Sequence, residues 1–330
     1  MIPGPFLISV APPLLAFIVT LALTKWLIKS KIFEVLDYPN LRSLHTKPIP
    51  RTGGLALVLG ILVSWTILPT ALAAPIWIAV TLLASVSFAD DIFGLPAPVR
   101  LLMHGAVALW FSAALLPGTN SWMIVAITAI AVAWMINLYN FMDGSDGLAG
   151  GMTLIGFSCY GMAAWLNANE LFAMINFCIA SSAAAFLLFN FHPARIFLGD
   201  TGSIPLGFLA AALGMTGWIN GYWPAWLPLL VFSPFIADAS VTLAKRSLRR
   251  EKIWQAHREH YYQRMVQNGL GHRNTALLAY ILMLASGASA LWAMREDSAV
   301  QLVVGIAWCG IYLVLMLAYD RYLARNPCNS

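Results

Sequence analysis

Charge is scarce in this chain of 330 residues. Only 10% are Asp, Glu, Lys or Arg and 60% are hydrophobic, whereas a soluble domain carries roughly 25% charged residues. That deficit excludes water as the main solvent of the folded chain. Cysteine is scarcer still: Cys159, Cys178, Cys309 and Cys328 stand far apart without metal-ligand spacing, and three of them fall inside apolar blocks. They read as small embedded residues, and neither a disulfide scaffold nor a cysteine metal site follows. Alternation at period two is nearly absent, which argues against a β-barrel, and an open sheet would leave its edge amides unpaired in hydrocarbon. Helices remain.

The apolar residues come in blocks of about 20, the length that crosses a hydrocarbon core of roughly 30 Å. Reading from one polar break to the next gives spans near 5–29, 53–70, 74–89, 99–116, 122–140, 148–166, 171–189, 203–219, 225–243, 275–294 and 300–320. The fold class is therefore an all-α polytopic membrane protein of about eleven transmembrane helices. It forms a single integral domain over 1–330, with inner loops near 30–52, 90–99, 141–147, 190–202 and 244–274. The first block has neither a basic leader nor a small-residue cleavage site, so it reads as a retained span.

Basic residues set the orientation, since Lys and Arg near span ends stay inside. With the N-terminus periplasmic and the C-terminus cytoplasmic, the inner ends collect Lys25, Lys29, Lys31, Arg42, Lys47, Arg51, Arg100, Arg195, the run Lys245 to Lys252, Arg258, Arg264, Arg273, Arg321 and Arg325. Only Arg295 is left outside. The formal charge of +5 is thus an asymmetry across a bilayer and no nucleic-acid footprint, because stacking aromatics on a soluble module are missing. A basic inner face suits anionic lipid headgroups and phosphorylated substrates.

Acids are few, so where they stand is informative: a carboxylate at membrane depth is costly and points to function. Asp90, Asp91, Asp143, Asp146, Asp200 and Asp238 all fall at inner span ends, drawn from four separate stretches. Asp90-Asp91 could mark a helix end, or could need a cation to relieve their mutual repulsion. Hard oxygens at a bilayer edge suit Mg²⁺, which takes one or two carboxylates and completes its shell with water and phosphate. The run Asn140-Phe-Met-Asp143-Gly144-Ser-Asp146-Gly147 puts glycines beside acids before a helix start, a plausible nucleotide cradle. As a Ca²⁺ loop it fails, since no bidentate Glu follows at loop position 12, where Leu154 stands if Asp143 is position 1. Asn190 to Ser203 adds an Asn, Phe197 and Asp200 around Gly199, to supply base contacts, stacking and a metal ligand, or simply a capped helix start. In the long last loop, His257, His260 and Arg264 share one side if the piece is helical, offering a surface to phosphate or lying as an interfacial helix. No zincin pattern is present, and His104, His192 and His272 read as isolated structural residues.

Together these segments, with Asp37-Tyr-Pro-Asn-Leu-Arg42-Ser-Leu-His45 and Pro50-Arg51-Thr-Gly-Gly54 in the first inner loop, resemble the polyprenyl-phosphate N-acetylhexosamine-1-phosphate transferases. That family includes the phospho-MurNAc-pentapeptide translocase and the initiators of O-antigen synthesis. The resemblance implies transfer of a sugar 1-phosphate from a UDP-N-acetyl sugar to undecaprenyl phosphate, with release of UMP. It implies Mg²⁺ as cofactor, or Mn²⁺ in its place, held by Asp91 and Asp200, and a role for Asp90 toward the lipid phosphate. Asp143, Gly144 and Asp146 would belong to the nucleotide motif with Asn140 nearby, Asn190 and Phe197 to the uracil site. His257 and His260 would approach the pyrophosphate, and Arg51, Arg258 and Arg264 would neutralise phosphate charge. Where some members carry a further acid or Lys just beyond the aspartate pair, this chain has Gly94 and Leu95. That departure, the separated histidines and the lack of a pentapeptide site suggest the surface-polysaccharide branch, with GlcNAc, FucNAc or QuiNAc as sugar and lipopolysaccharide O-antigen as a destination. Membrane lipids and a homodimer are expected partners. A transporter using the acids as an ion path, and a non-catalytic scaffold, are the competing classes; the former would place its carboxylates near mid-membrane. A groove for the lipid tail is expected where Pro228 or Pro234 bends the ninth span.

Overall fold

The computed structural model describes residues 5–30, 35–38, 44, 48–69, 73–119, 121–252 and 257–326. Lys31, Arg42, His45, Lys47 and Cys328 lie outside the described residues. The chain is helical nearly throughout, as its composition requires. In order come α1 (Pro5–Lys29), α2 (Gly53–Trp65), α3 (Ala74–Phe93), α4 (Ala97–Leu115), α5 (Trp122–Phe141), α6 (Leu148–Leu166), α7 (Glu170–Asn190), α8 (Asp200–Ile219), α9 (Trp226–Val231), α10 (Ser233–Leu248), α11 (Tyr261–Met265), α12 (Gly271–Ala293) and α13 (Ser298–Arg325). The one sheet among the described residues pairs β1 (Leu36–Asp37) antiparallel with β2 (Ile49–Pro50), Leu36 facing Pro50 and Asp37 facing Ile49. This short ladder ties the two sides of the first inner loop together beside Arg51.

Eight of the helices are long and apolar enough to cross a bilayer, which makes the chain a multi-pass helical membrane protein. The other three segments read as spans from sequence are helical but differ from that reading. α2 is only 13 residues long. α6 has the length, yet glycines at 150, 151, 156 and 161 dilute its hydropathy and let it pack closely against α7 and α12. The ninth segment breaks between Val231 and Ser233, giving α9 and α10. Pro228 and Pro234 flank the break, and each removes one backbone donor, so the expected bend is present at the expected prolines.

The core lies where α7 meets α1 and α6 and where α8 meets α3 and α5. Tyr139, Tyr160, Phe157, Phe208, Phe232 and Phe235 are buried there, and Tyr160 stacks on Trp223 at 4.9 Å. α8 carries the site because its first turn sits at the middle of this packing. The backbone N–H groups of Gly53 and Gly54 donate to the carbonyls of Phe197 and Leu198 at 2.9 and 2.8 Å. The starts of α2 and α8 are thereby locked together with little space for side chains. α13 is the opposite case: of its residues only Trp308 is buried.

Candidate active site

Four stretches far apart in sequence meet at one end of the bundle. Asp90 and Asp91 occupy the last turn of α3 and are both buried. Asp90 accepts from the backbone N–H of Leu95 at 2.6 Å and from Arg100 Nη1 at 3.0 Å. The same Arg100 nitrogen donates to Asp200 Oδ2 at 3.1 Å, so one guanidinium, 38% exposed, bridges two acids from α3 and α8. Asp91 Oδ2 accepts from Thr201 Oγ1 at 2.6 Å and from the Thr201 N–H at 3.1 Å. It thereby caps α8, where an anion is favoured by the helix dipole. Its other oxygen lies 3.6 Å from Arg51 Nε, and Arg51 Nη2 donates to the Asp91 carbonyl at 2.8 Å. Asn140, at the end of α5, donates to Asp200 Oδ1 at 2.8 Å and to Ser203 Oγ at 3.0 Å.

Of these groups Arg51, Asn140 and Asp200 line a cavity of about 290 Å³, together with Asp143, Gly144, Asn190 and Phe197 among others. Asp37, Asp143, Asp146 and Asp200 are the acids that line it. Burial, and then the neighbouring Asp200 and Asp91 carboxylates, raise Asp143 well above the usual carboxylate range. Gly199 closes the cavity with φ at +70°, and a Cβ there would stand 2.5 Å from the Arg51 carbonyl. Only glycine fits that conformation and that approach.

The nucleotide-motif loop is held by residues that look isolated in sequence. Asp146 Oδ2 accepts from His192 Nδ1 at 2.7 Å and from the Ala194 N–H at 3.1 Å. The His192 ring stacks on His272 at 5.5 Å with an 8° interplanar angle. His272 Nδ1 lies 2.9 Å from Ser145 Oγ, and its Nε2 lies 3.1 Å from the Leu44 carbonyl. A carbonyl can only accept, so Nε2 carries the proton and Nδ1 accepts from the Ser145 hydroxyl. His192 and His272, read from sequence as isolated, thus join the first inner loop, the nucleotide loop and the start of α12. The Asn190 amide is likewise engaged on both sides, accepting from Gly147 N–H and donating to the Ile196 carbonyl, each at 3.0 Å. Asn190 therefore fixes the shape of the cavity it lines.

The last inner loop differs from its sequence reading. His257, Arg258 and His260 are not helical; α11 begins only at Tyr261, with His260 as its N-cap. The common face expected for His257, His260 and Arg264 does not form. His260 is buried, stacked between Phe141 and Tyr262 at 6.1 and 5.9 Å, with its ring 4.9 Å from that of His257. Arg264 turns away from the cavity to Asp320 Oδ1 at 2.8 Å, with its guanidinium over Tyr261 and Tyr319. Neither His257, Arg258, His260 nor Arg264 lines the cavity, whereas Gln263 does. Asp238 is also no cavity acid: its two oxygens accept the N–H groups of Tyr261 and Tyr262 at 2.8 and 3.0 Å, capping α11. Burial, then the nearby His260 and Arg246, push His257 down to about 4, so at neutral pH it offers hydrogen bonds but no positive charge.

Sequence comparison now bears on this arrangement. The model of the family described as glycosyl transferase family 4 matches residues 73–217, from α3 through α8. The phospho-N-acetylmuramoyl-pentapeptide-transferase of Listeria monocytogenes serotype 4b is 30% identical over 224 residues, covering 59% of this chain and 68% of that protein. This chain belongs to glycosyl transferase family 4. The probable undecaprenyl-phosphate N-acetylglucosaminyl 1-phosphate transferase of Bacillus subtilis (strain 168) is 28% identical over 300 residues, covering 86% of this chain and 81% of the relative. The decaprenyl-phosphate N-acetylglucosaminephosphotransferase of Mycolicibacterium smegmatis is 28% identical over 368 residues, covering 95% and 88%. The resemblance read from the motifs is thereby shown, and with it a membrane transferase; the relatives give no support to a transporter.

Within this family 4 chain, a candidate site residue that sequence reading missed is Arg100. It appeared there only as an inner-face cation, yet it supplies the positive charge that Gly94 and Leu95 do not. A signal was available: Arg100 follows Asp90 across a Gly-Leu-Pro turn that ends α3 and starts α4. The donor set also fits a hard divalent cation. Asp200 and Asp91 stand near a third carboxylate, Asp143, whose affinity for a proton is raised first by burial and then by those two carboxylates. Among the described residues no cluster of three or more His, Cys, Asp or Glu forms a complete ligand set.

Proposed function

We propose that this family 4 transferase moves an N-acetylhexosamine 1-phosphate from a UDP-sugar to undecaprenyl phosphate at the cytoplasmic face of a bacterial inner membrane, releasing UMP. The reading includes eleven membrane-crossing segments, with the N-terminus periplasmic and the C-terminus cytoplasmic. The observation that carries it is a cavity at the ends of apolar helices lined by Asp143, Asp200 and Arg51, with Asp90 and Asp91 joined to those residues through Arg100, Thr201 and Arg51. Acids gathered at helix ends suit a reaction between a lipid phosphate and a soluble nucleotide. An ion path would need them near mid-membrane.

An oxygen of the lipid phosphate attacks the sugar-bearing phosphorus of the UDP-sugar, a P–O bond forms, and the bond to the bridging oxygen breaks with UMP leaving. Such transfer depends on positioning and charge stabilisation more than on covalent help from the protein. Asp90, held by Arg100 and the Leu95 N–H, orients the lipid phosphate or takes its remaining proton. Arg100 and Arg51 offset charge on the transferred phosphoryl group, while Phe197 and the Asn140 to Asp146 loop shape the nucleotide side. Asp200 and Asp91 would hold Mg²⁺, or Mn²⁺ in its place, which when bound neutralises the diphosphate. We assign the sugar to the N-acetyl type, GlcNAc, FucNAc or QuiNAc, and the product to surface-polysaccharide initiation such as O-antigen; a homodimer is part of the same reading.

The test supplies purified protein with undecaprenyl phosphate, a panel of UDP-N-acetyl sugars, and Mg²⁺ or EDTA. The expected result is metal-dependent UMP with a lipid pyrophosphoryl sugar. Release of UDP would make it a simple glycosyl transferase, and unchanged turnover in the Asp90, Asp91 and Asp200 triple alanine variant would remove the site as drawn.

A further inference from the structure

A second cavity lies apart from the site just described and shares no lining residue with it. It is a groove of about 890 Å³ between α9–α10 and α13, walled by Leu229, Ile236, Val241, Ile306, Leu313 and Leu317 among others. On α13 it runs from Ser298 to Asp320, roughly 33 Å at 1.5 Å per residue, close to the depth of a bilayer core. Polar contacts pin the two walls at three levels. Trp226 Nε1 donates to Gln301 Oε1 at 2.9 Å at one end, Ser233 Oγ meets Tyr312 Oη at 2.6 Å midway, and Lys245 contacts Asp320 at the inner end. α13 is therefore held off its neighbours by design of its contacts, and an apolar space this size between helices is filled in a membrane, because interiors are close-packed.

The inner end decides the occupant. Lys245 Nζ donates to Tyr261 Oη at 2.5 Å as well as to Asp320, Arg264 Nη1 donates to Asp320 Oδ1 at 2.8 Å, and Tyr261 Oη donates to Asp320 Oδ2 at 2.9 Å. Two cations face one carboxylate, which leaves one positive charge beside the groove. Lys245 is 39% exposed, so that charge is accessible. From Tyr312 to this cluster the groove covers eight residues of α13, about 12 Å, the depth of one leaflet's acyl chain in a core of roughly 30 Å.

We propose that this groove binds an anionic glycerophospholipid of the inner leaflet, with an acyl chain between α10 and α13 and the phosphate at Lys245 beside Tyr261 and Arg264. The single negative charge of such a headgroup matches the residual positive charge, whereas a zwitterionic headgroup does not. The acceptor lipid is a different ligand, because its phosphate must reach the acids of the other cavity. The site is nonetheless linked to that cavity through α11, since Tyr261 lines the groove and Arg264 holds its Asp320 while Gln263 lines the cavity.

The test is lipid retention by the full chain, purified from mixed phosphatidylglycerol and phosphatidylcholine vesicles and weighed by native mass spectrometry. The wild-type protein is expected to retain phosphatidylglycerol in preference. Lys245→Gln is expected to lower that preference about fivefold, from the usual contribution of one basic residue near an anionic surface. Ser240→Trp, which fills the inner half of the groove, is expected to abolish retention without changing the thermal midpoint. Unchanged lipid ratios in Lys245→Gln, or unchanged retention in Ser240→Trp, would overturn the proposal. So would displacement of the bound phosphatidylglycerol by undecaprenyl phosphate, which would make the groove an acceptor site.

Discussion

Gly54→Ala tests whether the contact between α2 and α8 sets the geometry of the acids. A Cβ at residue 54 would stand 2.2 Å from the Gly202 nitrogen, 2.5 Å from the Gly202 Cα and 2.5 Å from the Leu198 carbonyl oxygen. Ordinary carbon contacts begin near 3.5 Å, so about 1 Å of separation must be found, and every obstructing atom is backbone. Moving the start of α8 carries Asp200 and Thr201 with it and strains the hydrogen bonds from Gly53 and Gly54 to Phe197 and Leu198. Overpacking of this kind costs about 1–3 kcal/mol, and two weakened hydrogen bonds add roughly 1 kcal/mol each. With about 3 kcal/mol lost in all, the thermal midpoint falls by about 6 °C or more, at roughly 2 °C per kcal/mol for a chain of this size. A displacement of about 1 Å at a reacting group costs on the order of a hundredfold in rate, so transfer suffers more than stability. The assay is UMP release at 25 °C alongside a melting curve in detergent, with Gly310→Ala as control because nothing stands within 4 Å of its added carbon. Wild-type turnover and midpoint in Gly54→Ala would refute the reasoning.

Arg100→Ala leaves Asp90 and Asp200 without the cation they share, and kcat is expected to fall about 10²- to 10³-fold, the usual scale for one electrostatic stabiliser. Because a single nitrogen makes both contacts, Arg100→Lys should recover most of that loss; steady-state kinetics of the two variants decide it. His257 titrates near 4 in the folded chain against about 6.5 when unfolded. The unfolded state therefore binds the extra proton first, and stability is full above pH 6.5 and declines as pH falls toward 4. Melting curves from pH 8 to 4.5 should show this decline, less steep in His257→Asn. Asp238→Ala removes the acceptor of the Tyr261 and Tyr262 N–H groups, and with a cap lost at about 1–2 kcal/mol, protease cleavage in the last inner loop should accelerate about tenfold. His272→Ala unclips Ser145 from Leu44 and is expected to raise KM for the nucleotide sugar severalfold with less change in kcat, while His272→Gln, which keeps a donor toward Leu44, recovers part of the affinity.

Sequence alone determined the class of this molecule, because scarcity of charge and apolar blocks of bilayer length admit only packed helices. It also pointed to Asp90, Asp91, Asp143, Asp146, Asp200 and Asp238 as one group, since a carboxylate is costly at membrane depth, and of these packing sends Asp238 to cap α11. The break at Pro228 and Pro234 was legible for the same local reason, a missing backbone donor. What a side chain does once there was decided only by tertiary structure. Asp238 and Asp91 resemble each other in composition and position, yet one caps α11 and the other caps α8 beside the cavity. Arg264 reads from sequence as a phosphate ligand and Arg100 only as an inner-face cation, yet packing turns the first toward Asp320 and the second between two acids. His272 is about 80 residues from His192 and acquires a role only when α12 stacks one ring on the other. Hydrophobicity and span length act along the chain and so can be read from it, whereas hydrogen-bond partnership depends on distances between segments that only the packed helices fix.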